Sequence, residues 1–210
     1  MSRVPSFGLA GALAWAAATT ASAQISDALG TYIQTPAHRA EVLAAMRPYV
    51  TSVPGCQKQT TGGTAVQVLA PPVFGPDGAP TAGAWIERLT VEGCGTSGLL
   101  NVMTMTRAGA APLVAALLPG DTHASPLLQR DALPSARNVA FGKMKGGCGA
   151  LYVIDTHFES FGQPAMADLP AGRDARTWRE TWTLMGCGQR TTVAVQFVPD
   201  RTGTSFTASP

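Results

Sequence analysis

A chain of 210 residues, 45% hydrophobic and only 13% charged, is long enough to bury most of its apolar surface in one domain or in two small fused ones, and too apolar to be disordered. Charged residues are about half as frequent as in an average globular protein, and the 23 Gly and 16 Pro describe a loop-rich fold whose surface relies on Thr, Ser and Gln. A net charge of +2 without any Lys/Arg run excludes the basic footprint of a nucleic-acid or anionic-membrane binder.

The first 23 residues have the layout of a secretory signal: Arg3, then an apolar run from Phe7 to Ala18, then Ala21-Ser22-Ala23 before Gln24. The run is shorter than the roughly 20 residues that a membrane span needs. No Cys follows the cleavage site, and removing Arg3 leaves a net charge of +1. The expected address is therefore the periplasm or the extracellular medium, with no integral membrane segment after cleavage.

Past the leader, Thr35-Pro36 is a cap followed by a first-turn Pro, and Val42, Leu43, Met46 and Tyr49 fall near one face, so a helix is predicted over 36–49. A turn-rich stretch carries Cys56. The alternation of Val66 to Leu69 predicts a strand at 65–70 that Pro71-Pro72 ends. Further strands are predicted at 84–92 and 99–106. Residues 107–125, with the short apolar Leu113 to Leu118, read as a connector. Ser125-Pro126 repeats the earlier start signal and opens a helix over 126–143, which Pro134 is expected to kink or split. After Cys148 come strands at 151–158, 178–185 and 192–198, then a polar tail of little structure.

Trp178-Arg-Glu-Thr-Trp-Thr-Leu-Met-Gly-Cys-Gly188 repeats Trp85-Ile-Glu-Arg-Leu-Thr-Val-Glu-Gly-Cys-Gly95 at an offset of 93 residues. The order helix, Cys, strand, long loop, Trp-x-Glu strand, Cys-Gly, strand recurs in both halves. The expected fold is α+β: two related α-β-β-β units, 24–106 and 126–210, with antiparallel sheets covered by helices and stapled by disulfides. Each copy holds two of the four cysteines, one before the first strand and one after the second, at the open end of a hairpin. Cys56–Cys94 and Cys148–Cys187 are the pairings this layout favours among three possible connectivities. A four-thiolate zinc site lacks any paired C-x-x-C spacing.

Alternation places Trp85, Glu87 and Leu89 on one strand face, and Trp178, Glu180 and Trp182 on another. Two readings follow. Glu87 and Glu180 form a pair of general acids if the units bring them together, or each meets an Arg or backbone donors in a structural network, as a buried charge requires. The structural reading is preferred, with Trp85, Trp178 and Trp182 as core residues. Asp155, His157 and Glu159 are a second candidate, a strand face with three metal-competent side chains of which only His157 is a strong transition-metal ligand; a solvated face is the plainer reading. His38 and His123 are read as capping or surface residues. No G-x-S-x-G, G-x-G-x-x-G or phosphate loop occurs, and no cofactor is expected.

Trp178 to Arg190, then Val193-Ala-Val-Gln-Phe-Val-Pro-Asp200 and Gly203-Thr-Ser-Phe206, resembles a family of small exported bacterial proteins of unknown function with a W-x-E-x-W-x(4)-C-G motif. Pro119-Gly-Asp-Thr122 and Leu128-Gln-Arg-Asp-Ala132 are similar to them as well. The resemblance covers the second half and implies no catalytic residues; the first copy departs from it by carrying Leu89 where the second Trp would stand. The expected function is that of a non-enzymatic binding or envelope factor with a partner in the envelope or outside the cell. The alternatives are a hydrolase using Glu87 and Glu180 or the Asp155–His157–Glu159 face, and a purely structural envelope component. Any function is expected in the segments where the copies differ, 71–83, 107–125 and 159–176.

Overall fold

A computed structural model describes residues 26–51, 60–93, 96–144, 148–165 and 176–210. Residues 1–25, Cys56 and Cys94 lie outside them, and with those cysteines the expected Cys56–Cys94 pairing. The described chain is α+β and rich in strand, with two four-stranded antiparallel meanders, β1-β2-β3-β4 and β5-β6-β7-β8. The first comprises β1 (Thr60–Phe74), β2 (Pro80–Gly93), β3 (Thr96–Thr106) and β4 (Leu113–Ala116). The second comprises β5 (Tyr152–Pro164), β6 (Arg176–Gly186), β7 (Gln189–Pro199) and β8 (Thr204–Ser209). Three helices, α1 (Asp27–Ile33), α2 (Pro36–Thr51) and α3 (Pro126–Lys143), accompany them.

Several expectations are corrected. Each unit has four strands rather than three, because β4 lies inside the expected connector and β8 inside the expected tail. Both are short and end their sheets, so each needs hydrogen bonds on one side only, and sequence periodicity is weak in such segments. Pro71-Pro72 does not end β1. The strand runs on to Phe74 through register shifts between Ala70 and Val73, which an edge strand allows because its outer N–H groups need no ladder partner. Nor does Pro134 split α3, an uninterrupted helix of 18 residues. Pro134 and Arg130, whose carbonyl loses its donor, are both exposed, so water takes that bond.

The caps act as the sequence suggests. Ser125 Oγ accepts from Leu128 N at 3.3 Å, and Thr35 Oγ1 accepts from His38 N at the same distance, locking the first turn of each helix. Helix α2 packs on β3 and β4, and α3 packs on β6, β7 and β8. The second unit has the larger core, around Trp178, Trp182, Leu184, Val195 and Phe197. In the first unit the core is divided: Val42 and Met46 of α2 meet Leu89 and Val102, while Leu29 and Ile33 of α1 meet Trp85.

Residues 117–121 stitch the sheets together. Leu117 N donates to Asn101 O at 2.8 Å and Gly120 N to Leu99 O at 2.7 Å, both on β3, while Asp121 N donates to Thr156 O of β5 at 2.7 Å. The Asn101 amide donates to Leu118 O and Gly120 O at 2.8 and 2.9 Å, and Thr156 Oγ1 donates to Pro119 O at 2.7 Å. Gly120 has φ +94°, and a Cβ there would stand 2.2 Å from Thr156 O, so only glycine fits the seam.

A bridge joins Cys148, ahead of β5, to Cys187. Cys187 and Gly188 are the two loop residues between the paired Gly186 and Gln189, with φ of 50° and 74°, the signs that a type I′ hairpin demands. The Cys-Gly dipeptide thus makes the turn and presents the sulfur.

Candidate functional site

The two Trp-x-Glu strands occupy equivalent places to the residue. Trp85 faces Thr104, Glu87 faces Val102 and Leu89 faces Leu100 across β2 and β3. In the second unit Trp178 faces Phe197, Glu180 faces Val195 and Trp182 faces Val193 across β6 and β7. All six strand-face residues point inward and are buried, as alternation requires. An inward carboxyl has to be supplied with donors, and the two units supply it differently.

Glu180, fully buried, is saturated. Its Oε1 accepts from His123 N at 2.8 Å, Ala124 N at 3.2 Å and Trp178 Nε1 at 3.0 Å. Its Oε2 accepts from Thr122 Oγ1 and Trp182 Nε1, both at 2.8 Å. The segment just ahead of α3 thus wraps the carboxyl with backbone N–H groups, and the two indoles close it from the strand side.

Glu87, 3% exposed, has its donors on one oxygen. Trp85 Nε1 donates to Oε1 at 3.1 Å, and His38 Nε2 lies 2.5 Å from the same atom, so the tautomer protonated on Nε2 donates to it. His38 is 1% exposed, which corrects its reading as a surface or capping residue. It is carried inward by the first turn of α2, which Thr35 caps. Tyr32 closes the group, its ring centroid 4.7 Å from His38 and 5.9 Å, edge-on, from Trp85. Burial raises the Tyr32 hydroxyl above its ordinary pKa, and the carboxyls of Glu41 and Glu87 raise it further, so it stays a neutral phenol.

The two units therefore hold Glu87 and Glu180 in separate cores, each with its own donors, and do not bring them together as an acid pair. Glu87 does border open space. A cavity of about 390 Å³ lies between the helices and β1–β2, with Ile33, Arg39, Val42, Val66, Glu87 and Leu89 among its lining residues.

In the second unit His123 contributes its backbone to Glu180 and turns its ring outward. The imidazole packs edge-on to Phe161 and Trp178, with centroids 5.0 and 5.2 Å away, and Arg176 lies 3.6 Å over the Phe161 ring. A broad groove of about 520 Å³, lined by His123, Leu127, Asp131 and Trp178, runs beside it.

Asp155 and His157 alternate onto one exposed face of β5, and Glu159 falls in the register shift that follows. Register shifts fall between Val153 and Asp155 and between Phe158 and Ser160, on either side of Asp155 and His157, and all three side chains are exposed. Glu159 accepts a hydrogen bond from Thr181 and stands 3.9 Å from Arg179. His157 pairs through its backbone with Asp121. Among the described residues no group of three or more His, Cys, Asp or Glu side chains is placed to hold a metal ion.

What sequence reasoning missed is the partnership of His38 with Glu87, which links residues 49 apart. The signal for the cavity was present, because Leu89 breaks the repeat where Trp182 stands. Comparison of the chain with protein-family models, with curated proteins and with solved structures finds no match.

Proposed function

We propose that this is a non-enzymatic binding factor exported to the periplasm or the extracellular medium. The observation that carries the reading is the fate of the two inward carboxyls. Glu180 accepts five hydrogen bonds and has no free lone pair facing a substrate, and Glu87 sits in a different core, so the two do not form the paired general acids of the hydrolytic alternative. Export is supported by the signal layout of residues 1–23 and by the Cys148–Cys187 bridge, which suits an oxidising compartment. No helix among the described residues is long and apolar enough to cross a membrane. The W-x-E-x-W-x(4)-C-G resemblance to small exported proteins supports the same address.

A second reading, acid–base hydrolysis at Glu87 alone, is favoured by one observation: His38 lies 2.5 Å from Glu87 at the border of a cavity. The two separate in an assay of the purified chain against chromogenic esters, glycosides, phosphoesters and peptides. No turnover above buffer is expected. Turnover that disappears in Glu87→Gln, with the variant still folded, would replace the binding reading by the enzymatic one.

A further inference from the structure

The difference between the two copies of the Trp-x-Glu strand defines a site. In the second unit the residue two places after the Glu is Trp182, whose indole fills the space above the carboxyl and donates to Glu180 Oε2 at 2.8 Å. In the first unit the same register position holds Leu89, opposite Leu100 as Trp182 is opposite Val193. Leucine is smaller than tryptophan and has no N–H. Both consequences are visible. Both donors that reach Glu87 from the described residues go to Oε1, leaving Oε2 without one, and Leu89 and Glu87 line a cavity of about 390 Å³. That volume lies in the range of roughly 300–1,000 Å³ typical of small-ligand pockets.

The geometry points to this cavity as a binding site for a small aromatic molecule with an N–H donor, of the indole type, whose N–H bonds Glu87 Oε2 as the Trp182 indole bonds Glu180. The inference rests on the reading of the protein as a binding factor. Ile33, Val42, Val66 and Leu89 supply apolar walls, Gln34, Arg39 and Thr64 add polar groups to the lining, and the Glu87 carboxyl supplies the directional contact for the ligand N–H. Oε1 is held by Trp85 and His38, so the acceptor is oriented before the ligand arrives and little reorganisation opposes binding.

The test is a calorimetric titration of the purified chain with indole and with indene, which has nearly the same shape and no N–H. Indole is expected to saturate one site per chain, and indene to bind at least about tenfold more weakly, because a site built around an acceptor rejects the analogue that leaves it unpaired. Leu89→Trp, which returns the side chain of the second unit, is expected to abolish binding and to raise the melting temperature. Should that variant fail to fold, the wild-type chain still decides the matter by NMR: indole is expected to shift the Nε1–H resonance of Trp85, which shares Glu87, and to leave those of Trp178 and Trp182 in place. Absence of saturable binding, equal affinity for indene, or a shift confined to Trp178 and Trp182 would overturn the assignment. Any of these results leaves the non-enzymatic reading standing, since the substrate panel decides that separately.

Discussion

The indole of Trp182 and the carboxyl of Glu180, two residues apart on β6, form a hydrogen bond of 2.8 Å inside a core from which both are fully excluded from solvent. The bond joins one of the two tryptophans of the second core to the buried carboxyl of Glu180. Replacing Trp182 by Leu imposes the residue of the first unit on the second, leaving Glu180 Oε2 with Thr122 alone and opening space around Phe197. The expected cost is about 2–4 kcal/mol, from lost packing and one lost hydrogen bond to a carboxyl. Denaturant unfolding monitored by circular dichroism measures it; a loss below about 1 kcal/mol would mean that the core closes over the missing ring.

The carboxyls should differ in how much they matter to stability. Glu180→Gln points an amide NH₂ at N–H and O–H donors that five hydrogen bonds now satisfy, and a loss of about 3–5 kcal/mol is expected. Glu87→Gln keeps an acceptor for Trp85 and His38 and lets its NH₂ face the cavity, so the expected loss is about 1–2 kcal/mol. Parallel urea titrations check the order of the two variants, and the reverse order would contradict the assignment of Glu180 as the saturated site.

Gly120→Ala is expected to break the seam between the sheets. A positive φ disfavours alanine by about 1 kcal/mol, and a Cβ 2.2 Å from Thr156 O forces the backbone apart, for a total of at least about 3 kcal/mol. Hydrogen exchange reads the site directly: the amides of Gly120 and Asp121, protected by Leu99 O and Thr156 O, should exchange faster in the variant than amides in the centre of β6.

The bridge between Cys148 and Cys187 closes a loop with a sequence separation of 39 residues. Constraint of the unfolded chain by such a loop corresponds to about 4 kcal/mol. Cys148→Ser combined with Cys187→Ser should lower the unfolding midpoint accordingly, and a reductant should lower that of the wild type by more than that of the double variant, which keeps Cys56 and Cys94.

Stability should depend weakly on pH through Asp155. Its carboxyl is held above the ordinary value chiefly by desolvation, which the Thr156 backbone hydrogen bond and the charges of His157 and Arg190 only partly offset. A carboxyl raised on folding binds its proton more tightly in the native state. Its contribution is therefore most favourable below the unfolded pKa and declines as pH rises through the folded one. Asp155→Asn should remove that decline, raising stability at neutral pH by no more than a few tenths of a kcal/mol because the side chain meets solvent. Melting curves between pH 3 and pH 7 for the two proteins check the sign: the variant should show the flatter profile on the alkaline side of the transition.

The duplication was legible because it is written in local terms. Offsets of Trp, Glu, Cys and Gly, period-two alternation and the Thr35-Pro36 and Ser125-Pro126 caps survive in sequence without any knowledge of what packs where, and they placed α2, α3, most of the strands and the inward direction of Glu87 and Glu180. Pro71-Pro72 and Pro134 misled for a physical reason: the cost of a proline depends on whether the lost donor or the freed carbonyl faces water, which depends on edge position and on the exposed face of a helix.

By itself the sequence determined the α+β class, the repeated unit and the break in the repeat at Leu89. Only the tertiary structure decided what these mean. Strands β4 and β8 exist because neighbouring strands offer them hydrogen bonds. His38 reaches Glu87 across 49 residues because the first turn of α2 comes to lie beside the Glu87 carboxyl in the fold. Two carboxyls at the same register acquire different characters because one is wrapped by backbone donors and a second indole, and the other opens onto a cavity. Local patterns fix which face a residue occupies; the donors, the solvent and the empty space that it meets there are supplied by chain far away in sequence.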